Sequence, residues 1–268
     1  MANDIRDFLS TFEAREGVIP KRSAVDTARS CALPTGGEIK YCHDCVQGSD
    51  QWFEIRRGLI TASEMKLIIT PTLKTASNDK EKAHCYELAA QRISGYTEPS
   101  YVGDDMLRGW EDEVEARQLY GENYEPVQET GFVTNDSLGF KIGYSPDGLV
   151  GDSGLIEIKS RRQKYHIKTI IENVSEQTIP EEYMIQIQTG LWVTGREWCD
   201  FISYSGGLEM VTIRVYPDEK IQTAILAAAT EFETRVNAVV EKYYAVKNSG
   251  ARMLPTVRRI EQEMMTGD

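Results

Sequence analysis

Histidine is scarce in this chain: only His43, His84 and His166 occur among 268 residues, so acid–base chemistry built on imidazole has few candidates. Long apolar runs are missing as well. None approaches the ~20 residues that span a bilayer, and no membrane partner is expected. The opening MANDIRDFLS lacks the basic and apolar regions of a secretory signal, so the expected location is the cytoplasm. Five cysteines, odd in number and scattered over positions 31, 42, 45, 85 and 199, make no secreted disulfide framework. Cys42-His43-Asp44-Cys45 with Cys31 upstream offers part of a zinc site, the alternative being reduced thiols in an N-terminal arm. Dinucleotide-binding, P-loop, HExxH and nucleophile-elbow patterns are absent. Positive charge is in deficit, with 30 Lys and Arg against 42 Asp and Glu and a net charge of −12. Phosphate binding needs local cations rather than a basic total. Lys159, Arg161, Arg162, Lys164 and Lys168 cluster with His166 and no acidic residue, while acidic residues gather between Asp104 and Glu125.

What remains is an ordinary globular balance, 41% hydrophobic and 27% charged, in a length that suits one large or two small domains. Residues 1–46 read as a weakly patterned arm with a short helix around Ile5 to Glu16, 47–250 as the folded domain, and 251–268 as a polar tail. Ser49 is placed to cap a short helix through Arg57, stopped by Gly58. Thr61 and Glu64 have capping-box spacing for a helix ending before Pro71. Ser63 beside that helix start, with Arg56 and Arg57 upstream, reads either as a phosphate cradle or as plain capping beside two solvated arginines.

Helices are expected over about Asp79 to Ser94 and about Asp105 to Tyr120. The second has an apolar face of Met106, Trp110, Val114 and Tyr120, with Glu113 near its middle. Glu113 then either pairs internally with Arg117 or serves a metal site as an accessory acid. Strands are expected near Pro126 to Thr134, Gly139 to Tyr144 and Leu155 to Lys159, then a helix around Tyr165 to Glu172. Pro180 opens a helix to about Thr194, whose buried face of Met184, Ile185, Ile187, Leu191 and Trp192 includes Gln188 while Gln186 points elsewhere. Strands Trp198 to Tyr204 and Glu209 to Val215 pair antiparallel, and Asp218 to Val246 makes a closing helix. This order predicts an α/β sandwich, a mixed β-sheet flanked by helices.

The most informative stretch is Gly143 to Ser160, GYSPDGLVGDSGLIEIKS. Asp147 lies in a Ser-Pro-Asp-Gly turn after an apolar strand, and a Gly-Asp-Ser-Gly turn leads into the strand from Leu155 to Lys159. Alternation places Ile156 and Ile158 on one face, with Glu157 and Lys159 on the other about 7 Å apart. A hairpin brings Asp147 back beside that pair. Two carboxylates and an ammonium on one face suit Mg²⁺ or Mn²⁺, with the lysine orienting or deprotonating a metal-bound water. A solvated hairpin with an exposed Glu–Lys pair is the plain alternative, and the flanking isoleucines argue against it by marking a packed strand.

Ser145-Pro146-Asp147, nine intervening residues and Glu157-Ile158-Lys159 resemble the PD-(D/E)XK nuclease superfamily. Further motifs resemble its lambda exonuclease-like viral recombinase family: Gln47 to Trp52, Arg56-x-Gly58-x-Ile60 to Glu64, Gly109-x-x-x-Glu113 with Ala116-Arg117, and Met184-x-Gln186-x-Gln188 with Trp192 to Thr194. The likeness runs in order from about Gln47 to Val246. It implies a restriction-endonuclease-like core and a Mg²⁺-dependent exonuclease, with Mn²⁺ as substitute, degrading one strand of double-stranded DNA from its 5′ end. It also implies a ring-shaped homotrimer that threads DNA, working with a single-strand annealing protein in phage-type recombination. By residue, the resemblance implies Asp147, Glu157 and the carbonyl of Ile158 as metal ligands, with Lys159 and Gln188 positioning the attacking water. It gives Glu113 an assisting role and Arg56 and Ser63 the terminal 5′-phosphate, which settles Glu113 and Ser63 in favour of function. The basic segment from Arg161 to Lys168 is expected near the DNA path. Two departures stand out: the first 46 residues exceed the compact family pattern, and Ser160 stands where that pattern has a Cys-Pro step. The competing readings are an endonuclease or repair nuclease on the same fold, and a non-catalytic DNA-binding scaffold, against which the intact Asp147, Glu157 and Lys159 argue.

Overall fold

The computed structural model describes residues 37–98 and 103–258. Among these the strands are β1 (Ile39–Cys42), β2 (Ile60–Thr61), β3 (Val127–Gln128), β4 (Phe132–Asn135), β5 (Ile142–Tyr144), β6 (Gly148–Val150), β7 (Gly154–Ser160), β8 (Trp198–Tyr204) and β9 (Val211–Val215). The helices are α1 (Asp50–Arg56), α2 (Met65–Ile68), α3 (Asp79–Ser94), α4 (Asp104–Asn123), α5 (Gln163–Thr169), α6 (Glu181–Thr194) and α7 (Glu219–Lys247), with a π-helical turn at Ile170–Val174.

Capping chemistry sets several boundaries. Ser49 Oγ accepts from the Trp52 amide at 3.3 Å and starts α1, and Gly58, at φ +68°, turns the chain after it. Asn78 Oδ1 accepts from the Lys80 and Glu81 amides at 3.0 Å each, opening α3, and left-handed Gly95 closes it. The capping box expected at Thr61 does not form. Thr61 belongs to β2, and its hydroxyl donates to the Glu64 carboxylate at 2.6 Å. The helix that follows, α2, is only four residues long.

Two mixed sheets stand where the sequence predicted one. The first has the order β1-β4-β5-β2 and the second β3-β6-β7-β8-β9. Among the described residues only β2–β5 and β7–β8 are parallel pairs. Ser145-Pro146-Asp147 carries the chain from β5 in one sheet to β6 in the other. The partner of β7 in its hairpin is therefore β6, in the register Gly148↔Ile156, and not the Gly139 to Tyr144 strand. The parallel β7–β8 pair needs a crossover connection, which α5, the π turn and α6 supply. Residues 39–42, which the sequence reading leaves in the arm, form β1 against β4.

Central β7 has two different faces. Ile156 and Ile158 are buried against Ala116 and Tyr120 of α4, together with Ile202 and Tyr204 of β8. Each such side chain contributes about 1.5–3 kcal/mol on burial, so the strand is held firmly. Its opposite face, with Glu157 and Lys159, is turned toward Gln186 of α6. Helix α6 is buried over Ile187–Thr194, and α7 is bolted to α3 by the bidentate Arg92–Glu233 pair at 2.8 Å.

Helix α4 departs from its expected orientation. Met106, Trp110 and Val114 are 45%, 51% and 60% exposed, while Tyr120 of the expected face is buried against the sheet together with Ala116. A wheel identifies an apolar stripe without saying what covers it. The helix expected around Ile5 to Glu16 and Cys31 lie outside the described residues, and no helix of the described chain is long and apolar enough to cross a membrane.

Candidate active site

The β5–β6 crossing, the far face of β7 and the segment from Trp52 to Ser63 meet at a cavity of about 220 Å³. Asp147, Glu157, Ile158, Lys159, Glu113, Arg56 and Ser63 all line it, with Gln186, Tyr144, Ser145 and Trp52. Seven of the eight residues singled out in the sequence for catalysis, metal and phosphate therefore converge.

Backbone geometry fixes the acidic centre. The Ile158 amide donates to Asp147 Oδ2 at 2.5 Å, tying the crossing loop to β7. Arg117 Nε donates to the Asp147 carbonyl at 2.7 Å, and Gln47 Nε2 to the Pro146 carbonyl at 3.0 Å. Glu157, 1% exposed, accepts from Lys159 Nζ at 2.6 Å and from Gln186 on Oε1, and from the Tyr144 hydroxyl at 2.6 Å on Oε2. Glu113 satisfies both of its alternatives at once: it pairs with Arg117 one turn on, and it lines the cavity.

The electrostatics are those of crowded acids. Burial, then the charges of Glu157 and Glu113, push the Asp147 carboxyl well above the usual range. Burial likewise raises Glu113, against the pull of Arg117. Burial works against the Lys159 ammonium, yet Glu157 and Asp147 outweigh it and raise its pKa. Arg56 is lowered by burial, with Glu64 opposing. Its guanidinium lies 4.1 Å over the Trp52 ring and its Nη1 reaches Ser145 Oγ at 3.4 Å. Ser145 Oγ also accepts from Trp52 Nε1 at 2.9 Å. Ser63 Oγ lies 3.3 Å from Thr61 Oγ1. Because α2 is so short, an anion here meets a guanidinium and hydroxyls rather than a helix dipole.

Gln188 is the exception. It is buried on the other side of α6, where Nε2 donates to the Tyr216 carbonyl and Oε1 accepts from the Asp218 amide, both at 2.8 Å. The α6 amide that lines the cavity is Gln186. The two residues are ~200° apart on the wheel, so only one can face the site. The basic segment is also partly committed elsewhere: Arg161 is buried, 3.1 Å from Glu182, and Lys168 pairs with Glu172 at 3.6 Å.

An oxygen donor set suits a hard divalent ion: Asp147 and Glu157 carboxylates with the Ile158 carbonyl, Glu113 alongside, and room for water and phosphate. Among the described residues no three His, Cys, Asp or Glu side chains converge on one point. The acids are turned instead toward Lys159, Arg117 and the Ile158 amide. Two carboxylates plus carbonyl, water and phosphate oxygens meet the needs of Mg²⁺ without a third acid, so the residues fit. For zinc, Cys42 and Cys45 are free thiols and His43 Nδ1 is engaged with Thr130 at 3.1 Å.

Comparison with known proteins agrees with this fold. The YqaJ-like viral recombinase domain model matches residues 51–197. An alkaline exonuclease (LHK-Exo) from Laribacter hongkongensis superposes with a TM-score of 0.64 at 32% identity, covering 74% of this chain and 99% of that one. Its complex with dAMP gives a TM-score of 0.61 at 33% identity, covering 74% and 100%. A phage-related exonuclease from Haemophilus somnus, 14% identical with a TM-score of 0.53 over 69% and 96% of the two chains, shares the fold. No curated protein sequence matches the chain. With that match over most of the folded region and that structural kinship, the chain belongs to the YqaJ-like viral recombinase domain family and is a nuclease of the lambda exonuclease type.

Proposed function

We propose that this nuclease is a divalent-metal-dependent exonuclease that degrades one strand of double-stranded DNA from a 5′-phosphorylated end. The observation that carries the proposal is the meeting of Asp147, Glu157 and Lys159 with Arg56 and Ser63 around one cavity. An acid–base centre beside an anion-binding corner is the arrangement needed to cut next to a terminal phosphate. Asp147, Glu157 and the Ile158 carbonyl would hold Mg²⁺ or Mn²⁺, with Glu113 assisting. Bound there, the ion would polarise the scissile phosphate and acidify a water. Lys159 orients that water and holds a proton near the reacting oxygens, while Gln186 fixes Glu157. Arg56 and Ser63 grip the terminal phosphate.

The same reading assigns DNA ends as substrate, a closed homo-oligomer of trimeric ring form, and a single-strand annealing protein as partner, in the cytoplasm of a bacterial or phage-infected cell. The relatedness to an alkaline exonuclease solved with dAMP supports a deoxynucleotide product. The exposed Met106, Leu107, Trp110 and Val114 of α4 favour an assembly over an isolated subunit. The test is digestion of linear duplex labelled at its 5′ or 3′ end, with and without Mg²⁺, beside a circular duplex and the Asp147→Ala variant. Release of the 5′ label from linear DNA alone, only with metal, and none from Asp147→Ala, is expected. Cutting of circles, or full activity in folded Asp147→Ala, would refute it. Light scattering reports the assembly separately.

A further inference from the structure

Glu157 is anchored by a residue from the other sheet. Its Oε1 is addressed twice within the cavity, by the Lys159 ammonium and by the Gln186 amide, whereas Oε2 is held by the Tyr144 hydroxyl at 2.6 Å. Tyr144 is the last residue of β5 and only 1% exposed. It leads directly into Ser145-Pro146-Asp147. One phenol thus joins the segment that carries Asp147 to the strand that carries Glu157.

The ring has little freedom to leave. It lies against Gly190 of α6, where an added Cβ would come within 2.7 Å of two ring carbons. A methyl group there forces the ring or the helix to shift, so the bare glycine is part of the fit. The chemistry of the two Glu157 oxygens also differs. Lys159 is a cation and competes with any second cation for Oε1. The phenol is neutral, and burial followed by the Glu157 charge holds its proton on. It can keep its hydrogen bond while the carboxylate serves a metal.

We propose that Tyr144 is a positioning residue for the metal centre: its hydroxyl anchors Oε2 of Glu157, fixing that carboxylate relative to Asp147, with Gly190 as the seat of its ring. This rests on the metal-dependent reading given above. Groups that orient a ligating carboxylate in this way typically matter by ~10–100-fold in metal affinity.

The experiment is calorimetric titration of Mn²⁺ into the full chain without DNA, for wild type, Tyr144→Phe and Gly190→Ala, with thermal unfolding in chelator as the check on folding. Wild type should bind, and Tyr144→Phe should unfold cooperatively yet bind Mn²⁺ about 10–100-fold more weakly. Its nuclease rate should recover as Mn²⁺ is raised, a shift in metal requirement rather than in the saturated rate. Gly190→Ala, which keeps the hydroxyl but displaces the ring, should weaken Mn²⁺ in the same direction and decides the matter if Tyr144→Phe does not fold. Mn²⁺ affinity within twofold of wild type in the folded variant overturns the positioning role while leaving the metal reading intact. Failure of wild type itself to bind Mn²⁺ overturns both.

Discussion

Truncating Arg56 to alanine separates recognition of a strand end from cleavage itself. The neighbouring Arg57 is already spent on Glu54 and the Gly95 carbonyl. Arg56 makes no ion pair among the described residues; it rests 4.1 Å over Trp52 and has one 3.4 Å contact to the Ser145 hydroxyl. Most of its five donors are therefore uncommitted, in a half-buried corner of the cavity that also holds Ser63. A guanidinium in that position contributes about 1.5–3 kcal/mol per charge-assisted hydrogen bond. At about 1.4 kcal/mol per tenfold in rate, that is roughly 10- to 150-fold.

The assay is the initial rate on two linear duplexes that differ only in a 5′-phosphate or a 5′-hydroxyl. Wild type should prefer the phosphorylated end, and Arg56→Ala should lose about 10- to 150-fold on it with much less effect on the hydroxyl end. Arg56→Lys, which keeps the charge but not the planar fork, should fall between the two. Equal slowing on both substrates, or a wild type indifferent to the phosphate, would refute the reasoning and make Arg56 an ordinary backbone contact.

Three further outcomes follow from the structure. Gln186→Ala should cost roughly 10–100-fold in activity by releasing Glu157 Oε1 while leaving stability nearly unchanged. Gln188→Ala should destabilise by about 1–3 kcal/mol per buried group left unpaired with near-normal activity below its unfolding temperature; urea melts and rates on both variants check this. Tyr204 donates to Glu115, and that hydrogen bond, with burial, lifts its pKa from 10.0 to about 12. The folded state then holds a proton the unfolded chain has lost, so this stability is fully present below about pH 10 and lost as pH rises through about 12. Tyr204→Phe should flatten the fall in unfolding free energy across that window, and an unchanged slope would count against it.

Sequence reading carried furthest where chemistry is local. The helix expected over about Asp79 to Ser94 is α3 as found, since the Asn78 cap and left-handed Gly95 that bound it act within one turn. The alternation of Ile156, Glu157, Ile158 and Lys159 likewise predicted both faces of β7, because side chains of a strand have no other choice. Pairing between elements is not local, and there the reading stopped. Nothing in Gly139 to Tyr144 says that it joins β4 and β2 while the residues after Pro146 join β7; the division into two sheets follows from a loop whose direction only the packed structure sets. The apolar stripe of α4 was equally visible, but whether sheet, solvent or another chain meets it is a property of the neighbour.

The glutamine pair shows why the site itself was nearly, but not fully, readable. Amphipathic inference assumes one dry side and one wet side, and assigns the polar residue on the dry side to function because burial must be explained. Helix α6 breaks the assumption, being packed against α7 and against strands of both sheets. Gln188 points with the aliphatic residues toward α7, where backbone groups of Tyr216 and Asp218 account for its burial. Gln186 points away from the aliphatic stripe, and the space it faces is the cavity. A usable signal was present in β7. Glu157 is a carboxylate on a buried strand flanked by isoleucines, and it needs donors from whatever helix covers that face. Counting those donors requires a side chain from the covering helix that can reach, and of two glutamines ~200° apart the one set away from the aliphatic stripe is the one directed there. The polar demand of the site, rather than the hydrophobicity of the helix, selects Gln186.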